Sequence, residues 1–195
     1  MLSFPENIPQ ILRAIFELQP KKILDVGPGV GKYGLLIREQ DISCKVEAAA
    51  KAKEENLCPV CDLVIDGCED TEYFLTGRHG TTLYSIYNRV IAKSIFDVQE
   101  MVKEQKYDVI MMIDTVEHWK KDAALNLIRN LNESATILIS TPIRTGMYKD
   151  HLYGDERHHI TQFQASDFTD NFPGCRFMPS RFSHIVIVPK KEKVL

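Results

Sequence analysis

No apolar stretch in the 195 residues approaches the roughly 18 that a membrane-crossing helix needs. Nor do the first residues combine a basic region with an apolar core, the pattern of a secretory leader. A soluble, cytoplasmic chain with no membrane partner is therefore expected. Charge of one sign is also lacking: 24 Lys and Arg face 27 Asp and Glu, a net charge of −3. Without a basic excess there is no electrostatic reason to expect a nucleic-acid partner. The five cysteines are an odd number in a chain long and apolar enough to fold without disulfide staples. Length predicts a single domain over residues 1–195.

What is present is an alternation of helical and strand patterns. Ile8, Ile11, Leu12, Ile15 and Phe16 fall at i, i+3, i+4, i+7 and i+8, one face of an amphipathic helix that Pro20 closes. Lys21 to Val26 reads as a short buried strand; glycines follow at 27, 29 and 31, and Tyr33 to Glu39 reads as helix. Further strands are expected at Leu63 to Glu69, Ile86 to Ala92, Tyr107 to Asp114 and Ala135 to Ser140. Helices are expected at Ile95 to Gln105, along the stripe Ala124, Leu127, Ile128, Leu131, and at Ser166 to Phe172. Arg176 to Met178 and His184 to Val188 read as an antiparallel pair. The alternation predicts an α/β fold, a three-layer α/β/α sandwich around a mostly parallel sheet. Residues 41–61 interrupt it with an Ala-rich charged helix and a Cys-Pro-Val-Cys run. Residues 71–85 show no clear period, and both segments are expected to be surface elaborations.

Glycines at the end of a parallel strand let the main chain turn sharply and approach a ligand with no Cβ between. The helix that follows offers unpaired N–H groups at its start. Gly29, Gly31 and Gly34 also match Gly-x-Gly-x-x-Gly, so a dinucleotide oxidoreductase is a rival reading. Asp25 argues against it, because a carboxylate two residues before the first glycine repels a pyrophosphate and favours a cationic ammonium or sulfonium. Gly-Lys-Ser/Thr is missing, which excludes a P-loop by pattern.

The string Asp25-Val-Gly-Pro-Gly-Val-Gly-Lys-Tyr-Gly34 resembles the first motif of class I S-adenosylmethionine-dependent methyltransferases. The order of features agrees over about residues 8–190. The resemblance implies a seven-stranded sheet of order 3-2-1-4-5-7-6 with the last strand antiparallel, and S-adenosyl-L-methionine as cofactor. By the same resemblance Gly27, Gly29 and Gly31 wrap the methionine end of the cofactor while Asp25 orients the turn. An acid at the end of strand two accepts from the ribose hydroxyls; Glu69 is the candidate and Asp66 its competitor. Ser94 stands where the family often carries an acid for the adenine amino group, and Ile95 or Phe96 covers the ring. Asp114 closes the strand-four segment, with Glu117 and His118 opening the next loop. The expected reaction is methyl transfer to a small or medium-sized molecule.

Alignment of the acceptor carries most of such a displacement, and an oxygen or nitrogen acceptor also loses a proton. His118 is the candidate base, since a neutral imidazole suits proton removal near pH 7. His158 and Tyr153 are the acceptor-side candidates in the loop after strand five. Cys44, Cys58, Cys61 and Cys68 invite a zinc reading, but one Cys-x-x-Cys is half of a convincing structural site. No metal is expected in the site. A non-catalytic module that keeps the fold and binds a partner is the other rival, motivated by Ser94 and by the cysteine-bearing excursion.

Overall fold

The computed structural model describes residues 5–52, 62–144 and 159–192, with backbone alone for 42 and 44–52. In chain order the elements are α1 (Ile8–Leu18), β1 (Lys22–Val26), α2 (Lys32–Ala52), β2 (Val64–Cys68), α3 (Glu72–Leu75), α4 (Gly77–Ile86) and β3 (Arg89–Ile91). They continue with α5 (Ile95–Glu104), β4 (Val109–Ile113), α6 (Lys121–Leu131), β5 (Thr136–Pro142), α7 (Ala165–Thr169), β6 (Arg176–Met178) and β7 (Ser183–Val188). The strands form one seven-stranded sheet in the order 3-2-1-4-5-7-6. The pairs among β1 to β5 are parallel, and β7 runs antiparallel to both β5 and β6. This is the order that the family resemblance implies.

Side chains alternate across the strands because the strand period is two residues. Leu24, Val26, Ile110, Met112, Ile137, Ile139, Val186 and Val188 enter one apolar core with residues of α5 and α6 and with Phe168 of α7. Ile23, Val109, Met111, Ile113, Leu138, Ile185 and Ile187 enter a second core with residues of α1, α2 and α4. Each face of the sheet is thus covered, which is why β4 reads as an unbroken apolar run. Strand order reverses between β1 and β4, and such a switch point opens a crevice at the carboxyl ends of the strands. No helix among the described residues is long and apolar enough to cross a membrane.

Two expectations need correction. Residues 71–85 are not an aperiodic surface elaboration: they form α3 and most of α4, and their Phe74 and Leu83, with Ile86 just beyond, are buried in the second core. Three apolar anchors are too few to print a helical period among Thr, Gly and Tyr, yet they suffice to dock two short helices. The helix also takes Ile86, so the third strand is Arg89–Ile91 rather than 86–92. The Ala-rich charged helix expected within residues 41–61 is continuous with α2, which runs to Ala52. Beyond Gly34 this helix contains no glycine or proline, and its Ala, Glu and Lys residues favour propagation. Residues 53–61 lie outside the described residues.

Candidate functional site

The carboxyl ends of β1, β2, β3 and β4 bring the candidate residues to one edge of the sheet. At the tip of β1 the Gly27 N–H donates to the Cys68 carbonyl at 2.9 Å, carrying the ladder one residue past the strand. The Gly31 N–H donates to the Pro28 carbonyl at 2.9 Å, and the Leu35 N–H then reaches the Gly31 carbonyl at 3.0 Å to start α2. All three motif glycines have left-handed backbone, with φ of +69° at Gly27, +55° at Gly29 and +82° at Gly31. Their surroundings differ. A Cβ on Gly27 would stand 2.8 Å from the Thr115 Oγ1, and one on Gly31 would stand 2.8 Å from the Ile86 Cδ1. A Cβ on Gly29 would meet nothing nearer than the Phe74 ring at 3.9 Å. Gly27 and Gly31 therefore exclude a side chain for internal reasons, while at Gly29 a Cβ would make one ordinary contact.

Asp25 lies beneath this turn and is 3% exposed. Its Oδ2 accepts the Tyr87 hydroxyl at 2.6 Å. Burial lifts its carboxyl from the ordinary 3.8 to about 7; the Glu69 charge adds to the rise and the Tyr87 hydrogen bond opposes it. The argument that a carboxylate here selects a cationic ligand by direct charge is accordingly revised. Asp25 is an internal brace that ties β1 to the residue after α4.

This carboxyl carries a pH dependence. Its folded value lies above its unfolded one, so the folded chain holds a proton that the unfolded chain releases. The stability gained is complete below about pH 4 and is lost as pH rises through about 7. At about 1.4 kcal/mol per pKa unit, the rise from 3.8 to about 7 corresponds to roughly 4 kcal/mol across that window. Asp25→Asn keeps an acceptor for Tyr87 and removes the titration, so melting temperature against pH is expected to flatten between pH 4 and 7. An unchanged slope would assign the dependence elsewhere.

Glu69 follows β2 and is 5% exposed. Its Oε1 accepts the Thr71 N–H at 2.9 Å and its Oε2 the Gly29 N–H at 3.3 Å. Burial raises its pKa, against the pull of those backbone donors. Asp66, the competitor, sits within β2, where its Oδ2 accepts the Tyr107 hydroxyl at 2.6 Å and Arg89 Nη2 at 3.0 Å. It is committed to packing, and of the two acids Glu69 is the one beside the glycine turn. After β3, Ser94 immediately precedes α5 in extended conformation and is half-buried. Ile95 is 3% exposed and turned into the first core. Phe96 is half-buried, with its ring edge-on to Trp119 at 4.9 Å.

β4 ends at Asp114, whose φ of +51° is left-handed in a non-glycine residue. The Ser140 carbonyl accepts its N–H at 2.7 Å, and its Oδ1 accepts the Ser140 hydroxyl at 3.0 Å. Thr115 donates through Oγ1 to the Val26 carbonyl at 3.1 Å, joining the tips of β4 and β1. Lys32, half-buried at the start of α2, has its pKa lowered by burial, with the Asp114 charge acting in the opposite sense.

A 3-10 turn, Val116–His118, follows. Glu117 is 0% exposed, and neither carboxyl oxygen has a partner at hydrogen-bond distance and angle among the described residues. Burial pushes its pKa well above the usual range; Asp114 adds to the rise, and the Thr141 hydroxyl opposes it. His118 is half-buried and meets His159 in a T-shaped contact at 5.1 Å between centroids. His159 Nε2 lies 3.8 Å from Glu117 Oε1. The Glu117 carbonyl accepts the N–H groups of Ile160 and Thr161 at 3.0 and 3.1 Å.

The site thus gathers Gly27, Gly29, Gly31, Glu69, Ser94, Asp114 and His118, with Asp25 beneath them. His158 and Tyr153 lie outside the described residues, as do Cys58 and Cys61. Cys68 ends β2, buried, with its Sγ 3.3 Å from the Lys93 carbonyl. Burial pushes this thiol up to about 12, with Asp70 and Glu69 adding to the rise, so it is poorly suited to supply a thiolate. Sequence reasoning missed Lys32, Tyr87, Thr115, Glu117 as a site group, and His159. Lys32 was visible as the residue after Gly31; no local signal marked Tyr87.

A family model described as a methyltransferase domain matches residues 4–180. Among solved structures, the N-terminal domain of EvdMO1 with SAH bound is similar at a TM-score of 0.60 and 12% identity, over 97% of this chain and 83% of that one. An rRNA methylase from Escherichia coli is similar at a TM-score of 0.56 and 12% identity, over 95% of this chain and 64% of that one. Magnesium protoporphyrin IX methyltransferase from Synechocystis PCC 6803 with bound SAM follows at 0.52 and 13%, over 94% and 78%. No curated protein sequence matches the chain.

Proposed function

The chain belongs to the methyltransferase domain family, and from that premise we propose that it transfers the methyl group of S-adenosylmethionine to a small-molecule acceptor. Bound in this crevice, that donor supplies a methyl carbon already activated by its sulfonium. The observation that carries the reading is the β1 turn: left-handed glycines, room beside Gly29, and Glu69 reaching the Gly29 amide. Such a cradle suits a ligand that approaches the main chain closely at one end and meets a hydroxyl-accepting carboxylate beside it.

Gly27, Gly29 and Gly31 hold the amino-acid end of the donor, and Asp25 with Tyr87 keeps the turn in shape. Glu69 accepts from the ribose hydroxyls, Ser94 bonds the adenine edge, and of Ile95 and Phe96 the half-buried Phe96 covers the ring, since Ile95 is turned into the core. Asp114 lies beside the reacting centre, and His118 leads the acceptor side. The acceptor's lone pair displaces the sulfur in line, and the side chains align the two and exclude water. Acceptors of small size are supported by the modest net charge, −3, which offers no basic field for a nucleic acid.

Calorimetric titration with S-adenosylhomocysteine tests the reading. A single site with a micromolar dissociation constant is expected, and reduced nicotinamide cofactor is expected not to bind. Silence up to millimolar S-adenosylhomocysteine would overturn the assignment; tight binding without turnover on any acceptor would point to a binding module instead.

A further inference from the structure

Glu117, His118 and His159 each present one ligand atom, and these atoms all lie within 4.8 Å of one another. We propose that they bind a divalent first-row transition cation at the carboxyl end of β4. The role given to the cation rests on the methyl-transfer reading: it would hold an oxygen acceptor, such as a hydroxyl or vicinal diol, against the donor's methyl group.

The donor set is right for such an ion. Two imidazoles and one carboxylate suit Mn²⁺, Fe²⁺, Co²⁺ or Zn²⁺ and leave coordination positions open to solvent or substrate. Ligand atoms about 2.0–2.2 Å from a metal must stand closer together than 4.8 Å, so binding draws the three inward. His159 Nε2 is already 3.8 Å from Glu117 Oε1.

A second observation is independent of that geometry. Glu117 is 0% exposed, yet neither of its carboxyl oxygens has a partner at hydrogen-bond distance and angle among the described residues; its polar neighbours are the Thr141 hydroxyl and His159 Nε2. Buried polar atoms are almost always satisfied, and an exception asks for a missing partner. A cation beside the two histidines is the partner this corner of the fold can accommodate.

The supporting structure is rigid. Backbone bonds from Ile160 and Thr161 to the Glu117 carbonyl, and the Thr161 hydroxyl to the Trp119 carbonyl at 2.6 Å, fasten the 159–161 segment to the turn that carries His118. Two ligands far apart in sequence are thus held on one frame, as a metal site requires. The chemistry balances without any other co-reactant. A hydroxyl bound to the cation is more acidic, and its proton passes to solvent. The oxygen lone pair then forms the new O–C bond as the C–S bond of the donor breaks, and a neutral thioether leaves.

Titration of the full chain with Co²⁺, followed by its visible absorption, tests the site. One equivalent is expected to bind at micromolar concentration with the weak bands of nitrogen and oxygen ligands. Glu117→Gln and His159→Ala are each expected to weaken binding at least tenfold while S-adenosylhomocysteine affinity and melting temperature stay near the parent values. Parent and variants binding Co²⁺ alike, binding only at millimolar concentration, or a near-ultraviolet thiolate band in place of the weak spectrum would each overturn the proposal. S-adenosylhomocysteine binding without Co²⁺ binding would sink the cation site and leave the methyl-transfer reading standing. Co²⁺ bound without S-adenosylhomocysteine would keep the site and remove its role in methyl transfer.

Discussion

Gly29→Val is expected to raise the dissociation constant for S-adenosylhomocysteine at least a hundredfold while the protein stays folded. At this position a side chain has room in the unliganded chain, since the nearest atom to a new Cβ is the Phe74 ring at 3.9 Å. The backbone is left-handed at +55°, and forcing a branched residue into that region costs on the order of 1–2 kcal/mol. In a chain of this size, each kcal/mol lowers the melting temperature by about 2–4 °C. The larger effect falls on the ligand. An isopropyl group would fill the room beside Gly29 and block the backbone approach; about 2.7 kcal/mol of lost contact is a hundredfold in affinity. Calorimetry paired with thermal melting separates the two effects. An unchanged affinity would mean that this face of the turn does not contact the donor.

Gly34→Ala is expected to do the opposite and cost the fold. In the first turn of α2, alanine is the better helix former by about 1 kcal/mol, so propensity alone predicts stabilisation. Packing reverses the sign. A Cβ at this position would stand 2.6 Å from the Tyr87 Cζ and hydroxyl oxygen and 2.9 Å from the Ile86 Cγ2. Tyr87 is 4% exposed and its hydroxyl holds Asp25 at 2.6 Å, so it has little freedom to retreat. Overpacking costs about 1–3 kcal/mol, and a stranded Asp25 carboxyl adds about 1–3 kcal/mol. The net expectation is a melting temperature lower by roughly 10 °C, measured without ligand. A variant as stable as the parent would show that Tyr87 can move, and that Asp25 does not depend on it.

These two glycines belong to one Gly-x-Gly-x-x-Gly match, and that match alone does not separate them. A Cβ on Gly29 would make only an ordinary contact with the Phe74 ring, whereas one on Gly34 would collide with Tyr87, a residue more than 50 positions along the chain. The two-sided core was legible because it follows from local pattern, continuous apolar strands alternating with helical stripes; the strand order came only from the resemblance carried by the Asp25 to Gly34 string. Pattern failed over residues 71–85, where two buried apolar anchors, Phe74 and Leu83, were scattered among Thr, Gly and Tyr. It also failed to show that Cys44 lies within one long helix, since a solvated Ala-Glu-Lys run prints no apolar period.

From the sequence by itself follow the α/β alternation, the bend at Gly27 to Gly31, and the acids Glu69 and Asp114 at strand ends, because each depends on neighbours within a few residues. Tertiary structure alone decided that Asp25 braces the turn through Tyr87, 62 residues away. It also decided that Thr161, fastened to Trp119 across 42 residues, brings His159 against Glu117 and His118. Such contacts are set by how elements pack across the sheet, and residue spacing along the chain does not encode that distance.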